Sequence, residues 1–301
     1  MTFELYPLRF HFTAEDSLRF PARNSSNMLR GAFGLLFRKI ACAAECQNAR
    51  TCPRRAECAY ARVFEPASPG TGPSGLADWP RPFVFRADHL NKRTIPAGGI
   101  FHFDLNLFLP TRDAIGYFAA TFAELAHEGL GPRRCRAKLD SVSQLDSRCE
   151  RLPEIGEPLA LDLRPGPDPI TAVKVLFVTA TELKTEDGLA QIPTFETLFA
   201  RIRDRISTLR ALYGPGPLEI DFKGMSKRAA AIRIRVYDLL HTTSNRTSSR
   251  TGQTHPLGGF IGWADYEGDL TEFIPYLEAA QWTGVGRQTV WGKGEIRLAR
   301  K

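Results

Sequence analysis

One pattern constrains this 301-residue chain more than any other: the order strand, helix, strand, strand, helix, strand is legible in it twice. In the first copy, Leu8-Arg-Phe-His-Phe12 alternates apolar and polar residues, the period of a half-buried strand. Asn24-Ser-Ser then offers N-cap residues for a helix to about Cys42, with Leu29, Phe33, Leu36, Phe37 and Ile40 on one stripe. Pro82–Phe85 and Ile100–Leu109 read as strands, Asp113–His127 as an amphipathic helix and Arg134–Leu145 as a closing strand. The second copy has Val173, Val175, Phe177 and Thr179 alternating as a strand. A helix capped by Thr194 follows, carrying Phe195, Leu198, Phe199, Ile202, Ile206 and Leu209 until Gly214-Pro-Gly-Pro217 stops it. Leu218–Phe222 and Ala229–Leu240 read as strands, Asp269–Ala280 as a helix and Gln288–Ala299 as the last strand.

Strand–helix–strand–strand–helix–strand is the ferredoxin-like split βαβ unit. The expected fold class is therefore α+β: two tandem ferredoxin-like domains, with a Cys-rich insertion over about residues 42–80 in the first. Residues 1–152 form the first domain, the proline-rich segment 153–169 the linker and residues 170–301 the second domain. Each unit packs two helices on one sheet face and leaves the other free, the layout RNA-recognition modules use for base stacking. Neither copy has the aromatic-rich signature of such modules, so the fold permits RNA binding without proving it.

Charge adds direction. Of 40 basic residues 31 are Arg, and the net charge is +7. Between Asp221 and Asp265 the only acid is Asp238, against Lys223, Lys227, Arg228, Arg233, Arg235, Arg246 and Arg250. That stretch reads as a polyanion-binding surface, with a solvated basic face as the plain alternative. No apolar run is long enough for a membrane span. The early acid and proline of Met1-Thr-Phe-Glu-Leu-Tyr-Pro7 do not suit a signal peptide, so a cytoplasmic protein is expected.

The densest motif is Gly284-Val-Gly-Arg-Gln-Thr-Val-Trp-Gly-Lys-Gly294. Gly284, Gly286, Gly292 and Gly294 allow positive φ and close backbone approach, leaving amides to face a phosphate. Arg287 and Lys293 add charge, and Trp291 can stack on a base. A glycine hairpin between helix and strand is the plain alternative.

With this loop, two split βαβ units, and Leu29-Arg-Gly-Ala-Phe-Gly34 in the first helix, the chain resembles the CRISPR-associated RAMP endoribonucleases that process precursor crRNA. The cysteine cluster followed by Tyr60-Ala-Arg-Val-Phe-Glu65 resembles one subgroup, as does Ser249-Arg-Thr-Gly252 with Leu257-Gly-Gly-Phe-Ile-Gly262. The resemblance spans nearly the whole chain. It implies a protein that binds CRISPR repeat RNA, or crRNA, and cuts it without a catalytic metal, alone or beside other subunits of a CRISPR complex. Lys227, Arg228, Arg246, Arg250, Arg287 and Lys293 are the expected phosphate contacts.

Cys42, Cys46, Cys52 and Cys58 fall as C-x3-C-x5-C-x5-C. In a cytosolic chain such clustering points to metal rather than disulfides. A structural zinc is expected; an iron–sulfur cluster and reduced thiols stay open, because the spacing lacks the C-x2-C pairs of a zinc ribbon.

Metal-free RNA cleavage needs a base for the 2′-OH, an acid for the leaving 5′-oxygen and a cation for the phosphate. Many members of the resembled family keep a catalytic His near the first helix; this chain has none between His11 and His89. His255, in the most basic and loop-like stretch, is the catalytic candidate, with Arg30 as the phosphate contact. His127 ends a helix and reads as structural, and His11 and His102 sit on polar strand faces where they could flank a groove. The missing first-helix His keeps a second reading open, a non-catalytic RNA-binding subunit. A nucleotide-processing enzyme would need paired acids at strand ends, and none is evident.

Overall fold

A computed structural model describes residues 1–42, 49, 51–66, 79–242, 245–247, 254–256 and 258–299. In the first half, β1 (Thr2–Ala14) leads into α1 (Ser25–Ala41) and the short α2 (Ala59–Val63). Then come β2 (Phe83–Arg86), β3 (Ile100–Leu107), α3 (Arg112–Glu128) and β4 (Ala137–Gln144). The sheet order is β2-β3-β1-β4, all antiparallel, the ferredoxin-like arrangement read from the sequence.

Period-two alternation puts Leu8, Phe10 and Phe12 of β1 on one face, fully buried under α1 and α3. The core is built from rings. Phe33 of α1 stacks on Phe118 of α3 at 4.5 Å, and Phe10 stacks on Phe103 at 5.2 Å. Each fully buried Phe contributes about 1.5–3 kcal/mol, so this ring cluster dominates the stability of the first half. Gly34 explains part of the Leu29–Gly34 motif, because a β-carbon there would run into the Phe64 ring behind α2.

The proline-rich segment is not a bare linker. Its residues Leu159–Asp162 form β5, which pairs with the start of β1 from Thr2↔Asp162 to Leu5↔Leu159. The prolines bracket this strand rather than interrupt it, so its amides stay available to the ladder.

The second half runs β6 (Ala172–Thr181), α4 (Phe195–Tyr213), α5 (Phe222–Ala230) and β7 (Arg233–Thr242). The hairpin β8 (Asn245–Thr247) and β9 (Thr254–Pro256) follows, then β10 (Gly259–Glu267), α6 (Ile274–Thr283) and β11 (Ile296–Ala299). Its sheet order, β7-β10-β6-β11, repeats the first. Thr194 caps α4 by accepting from the Thr197 amide, as its position suggested.

Two strand assignments are corrected. Leu218–Phe222 is not a strand: Asp221 accepts from the Gly224 amide at 2.8 Å and caps α5, so the chain turns helical there and the next strand starts at Arg233. The third strand of the second unit is instead Gly259–Glu267, and the expected last strand is shortened to Ile296–Ala299 behind a single 3-10 turn at Thr289–Trp291.

The halves share a core. Phe3 and Leu5 of β1, Val84 and Phe108 pack with Val173, Val175, Phe177 and the α4–α6 side chains. Polar contacts line the same seam: Asn106 Nδ2 donates to Trp282 O at 2.8 Å, and Arg86 lies 3.8 Å from Glu295. No helix among the described residues is long and apolar enough to cross a membrane.

Of the expected zinc ligands, Cys42 ends α1 and Cys58 precedes α2. Both are half-buried, as is Cys52. Cys46 lies outside the described residues, and no group of three metal-ligating side chains forms among those described.

Candidate nucleic-acid interface

The glycine-rich loop leaves α6 at Thr283 and returns into β11, with Gly284, Gly286, Gly292 and Gly294 all at positive φ. At Gly292 (φ 88) a β-carbon would sit 2.5 Å from Ser26 Cβ, so glycine is required for the loop to seat on the first turn of α1. At Gly286 (φ 82) a β-carbon would run into the Glu182 carbonyl that follows β6. The loop is thereby wedged between the two halves of the molecule.

That wedging uses the amides expected to face a phosphate. Val285 N donates to Gly294 O at 2.9 Å, Arg287 N to Glu182 O at 3.1 Å and Gly294 N to Ala180 O at 3.1 Å. The amides of Gly284, Trp291 and Gly292 are likewise bonded to backbone carbonyls. The glycines shape and dock the loop; most of its donors are already committed inside the fold.

Lys293 is the second correction. It is 3% exposed, and its ammonium meets Glu182 Oε1 at 3.1 Å, Gln288 Oε1 at 3.0 Å and the Gly258 carbonyl at 2.6 Å. Burial pulls this ammonium below its usual pKa, against the carboxylate of Glu182. A lysine so enclosed presents no charge to a phosphate; it ties the loop to Gly258. Arg287, 3.6 Å from the same carboxylate, keeps half of its side chain in solvent and remains available.

The Gly258 tether bears on His255. The backbone of His255 pairs with that of Arg246 across the β8–β9 hairpin, and Gly258 is three residues further on. Three residues reach at most about 11 Å, so the hairpin end is held beside the loop. Arg250 lies outside the described residues. Lys227 and Arg228 ride on α5, both exposed; Arg228 already forks onto Glu272, with Nη2 at 2.9 Å from Oε2. Arg228 is therefore an engaged cation, whereas no ion pair is formed by Lys227 among the described residues.

Beneath the loop, Trp291 lines a pocket of about 250 Å³ with Trp79, Arg81 and Arg205. Arg205 Nε donates to Thr283 O at 2.9 Å; burial, with Arg86 nearby, pulls its guanidinium down to about 9, still cationic at neutral pH. Arg30 lies 4.6 Å over the Phe64 ring and Arg81 5.2 Å over the same ring, a cation–π arrangement that fixes Arg30 on α1. Trp79 and Arg81 lie two residues apart before β2 and Arg205 on α4, and no motif links them, so they carry no sequence signal.

Three of the remaining histidines gather elsewhere. On the open face of the first sheet, the His89 and His102 rings stack at 4.7 Å and His11 lies 6.1 Å from His102. Burial, then the nearby arginines, holds His11 and His102 below the usual imidazole pKa and thus neutral at neutral pH.

Two ferredoxin-like units thus stand in tandem, with the glycine-rich loop of the second seated on the first helix of the first. Residues 3–161, more than half of the chain, match the AF_1859 N-terminal domain family, and residues 175–296 match CRISPR-associated endoribonuclease Cas6. The chain belongs to the family of the AF_1859 N-terminal domain, and its second half matches the Cas6 endoribonuclease family. Solved structures agree on the fold. Cas6 (TTHB231) of Thermus thermophilus in a product complex superposes with a TM-score of 0.57 at 14% identity, covering 98% of this chain and 100% of its own. A second Cas6 (TTHA0078) product complex gives 0.53 at 17% identity over 98% of this chain and 99% of its own. A partial Cas6–RT–Cas1–Cas2 complex gives 0.59 at 12% identity, covering 99% of this chain and 46% of that one. No curated protein matches the sequence.

Proposed function

We propose that the protein binds CRISPR repeat RNA and cuts the precursor by attack of the 2′-OH on the adjacent phosphate, without a catalytic metal. The observation that carries this is the tether: the Lys293–Gly258 contact holds the His255 hairpin beside a glycine-rich loop that is itself seated on α1. His255 supplies or receives the proton, Arg30 and Arg287 hold the phosphate, and Trp291 stacks on a base. Lys227, Arg246 and Arg250 extend the electrostatic footprint along the bound strand. The cysteine quartet holds a structural zinc that closes the excursion between α1 and α2.

Labelled repeat RNA incubated with pure protein in excess EDTA tests the reading. Cleavage should persist and leave a cyclic phosphate on the upstream fragment. His255→Ala should slow it by roughly 10²–10⁴-fold, the range of a lost acid or base, with RNA affinity little changed. Cleavage that stops in EDTA would overturn the metal-free mechanism. The second reading, a non-catalytic RNA-binding subunit of a CRISPR ribonucleoprotein, is favoured by one observation: α1 carries no histidine. Tight binding of repeat RNA with no cleavage under any condition would select it.

A further inference from the structure

The pocket beneath the glycine-rich loop holds a cation that nothing in the fold neutralises. Arg205 of α4 lines it with Trp79, Arg81, Gln288 and Trp291, and no carboxylate is among the lining side chains. The side chain is partly buried, yet it forms no ion pair among the described residues. The acids of this seam are already taken: Glu182 by Lys293 and Arg287, and Glu295 by Arg86 and Arg297. Asp204, its neighbour in sequence, is tied to Arg201 and Arg203. A second guanidinium, Arg86, lies close enough to push against it. Buried charges are ordinarily paired, because their desolvation is otherwise not offset. The Arg205 Nε–H is spent on the Thr283 carbonyl. Its Nη1 and Nη2 atoms make no hydrogen bond among the described residues, and neither is sealed from solvent. The outer edge of the fork is therefore the part that a group in the pocket can reach. At about 250 Å³ the pocket falls below the roughly 300–1,000 Å³ of whole-ligand sites, so it suits one group of a larger molecule.

We propose that this pocket holds a phosphate group on the Nη1–Nη2 edge of Arg205. A planar fork meets two oxygens of a tetrahedral oxyanion in parallel, and both bonds are charge-assisted. Arg81 adds a second positive charge to the same wall. In the RNA complex the group is a backbone phosphate, because the indoles of Trp79 and Trp291 offer the adjoining base a face to stack on. The phosphate then lies under the loop rather than on its amides, most of which are bonded within the fold. That source rests on the RNA-binding reading, but the phosphate site itself can be measured without RNA.

Indole N–H resonances provide the probe. Of the four tryptophans, Trp79 and Trp291 line the pocket, whereas Trp263 lies on β10. Replacing chloride by inorganic phosphate at constant ionic strength should move the Trp79 and Trp291 signals of the full-length protein and leave that of Trp263 in place. Acetate in its place should move neither. Arg205→Met should weaken phosphate by about tenfold or more, the scale of a lost hydrogen bond to a charged group. Arg205→Lys, which keeps the charge and loses the fork, should weaken it by less. Without phosphate, Arg205→Met should melt at or above the temperature of the parent, because it removes a desolvated charge that has no acid partner. Repeat-type RNA should move the same two indole signals, and Arg205→Met should make the slope of log K against log salt shallower by roughly 0.7. RNA that binds with these signals and this slope unchanged would overturn the RNA source and leave a site for free phosphate. No binding of repeat RNA at all would overturn the RNA-binding reading while the phosphate titration still stood. Acetate that binds as tightly as phosphate, a phosphate response that survives Arg205→Met, or an Arg205→Met protein that melts well below the parent would overturn the assignment whatever the RNA result.

Discussion

Lys293 holds its ammonium among Glu182, Gln288 and the Gly258 carbonyl, so its removal leaves a buried carboxylate facing only the half-exposed Arg287. Breaking a buried pair from one side costs about 3–5 kcal/mol, and Lys293→Met should lower stability by that order in denaturant titration. Arg287→Ala should cost under about 1 kcal/mol, because that pair is half in water, and should instead weaken RNA binding. Equal stability losses for the two variants would contradict the division of labour drawn here. The histidines give a pH signature. His11 and His102 are held below their unfolded pKa by burial, with Arg151 and Arg9 adding to the shift at His11 and Arg9 at His102. The unfolded chain therefore binds more protons than the native one as pH falls through about 6.5, and stability must drop with acidification across that window. Melting temperatures of the His11→Gln, His102→Gln double variant should show a flatter acid limb between about pH 7 and 5 than the parent. An unchanged limb would mean that other groups set it.

At the scale of elements, the glycine-rich loop separates geometry from charge. Gly292→Val adds a branched side chain against Ser26 at positive φ, and should unseat the loop from α1 and weaken RNA binding while leaving its salt dependence nearly unchanged. Arg287→Ala should make the slope of log K against log salt shallower by roughly 0.7, the value of one single-strand phosphate contact. A Gly292→Val protein with a slope as shallow as that of Arg287→Ala would refute the distinction. The cysteine quartet is testable in the same way. Protein purified without chelator should carry about one zinc, and its removal should loosen the α1–α2 excursion while α1 and α3 stay packed. Four thiols that alkylate freely in the native state would exclude the metal. The first sheet was legible in the sequence because apolar alternation survives along β1 and β3, and the first strand of the second unit because it survives along β6. The strand Gly259–Glu267 was not: its ladder is interrupted by a register shift between Phe260 and Gly262, where glycine comes against the Asp238 backbone. Leu218–Phe222 misled for the opposite reason, alternating correctly while Asp221 capped a helix. The loop's position could likewise be read from its glycines, whereas Lys293's direction could not, since the carboxylate that buries it lies more than a hundred residues away.

At the scale of the whole molecule, the repeat seen along the chain is not a pair of independent beads. Phe3 and Leu5 lie on the first strand of the first unit yet are buried in the core of the second, with Val84 and Phe108 beside them. β5, taken from the proline-rich segment, closes the same region by pairing with β1. Burial of this kind couples the halves: neither sheet can open without exposing apolar surface belonging to the other. Thermal or urea unfolding, followed in parallel by Trp263 fluorescence in the second sheet and by the phenylalanine-rich first core through near-ultraviolet circular dichroism, should therefore give one coincident transition. Leu5→Ala should lower that single transition by about 2–5 kcal/mol, the usual cost of a truncated core leucine, and should move both probes together. Two separated transitions in the parent protein, or a Leu5→Ala effect confined to the first core, would show that the domains fold independently. In that case the glycine-rich loop, rather than the shared core, would be what holds the two faces of the RNA interface in register.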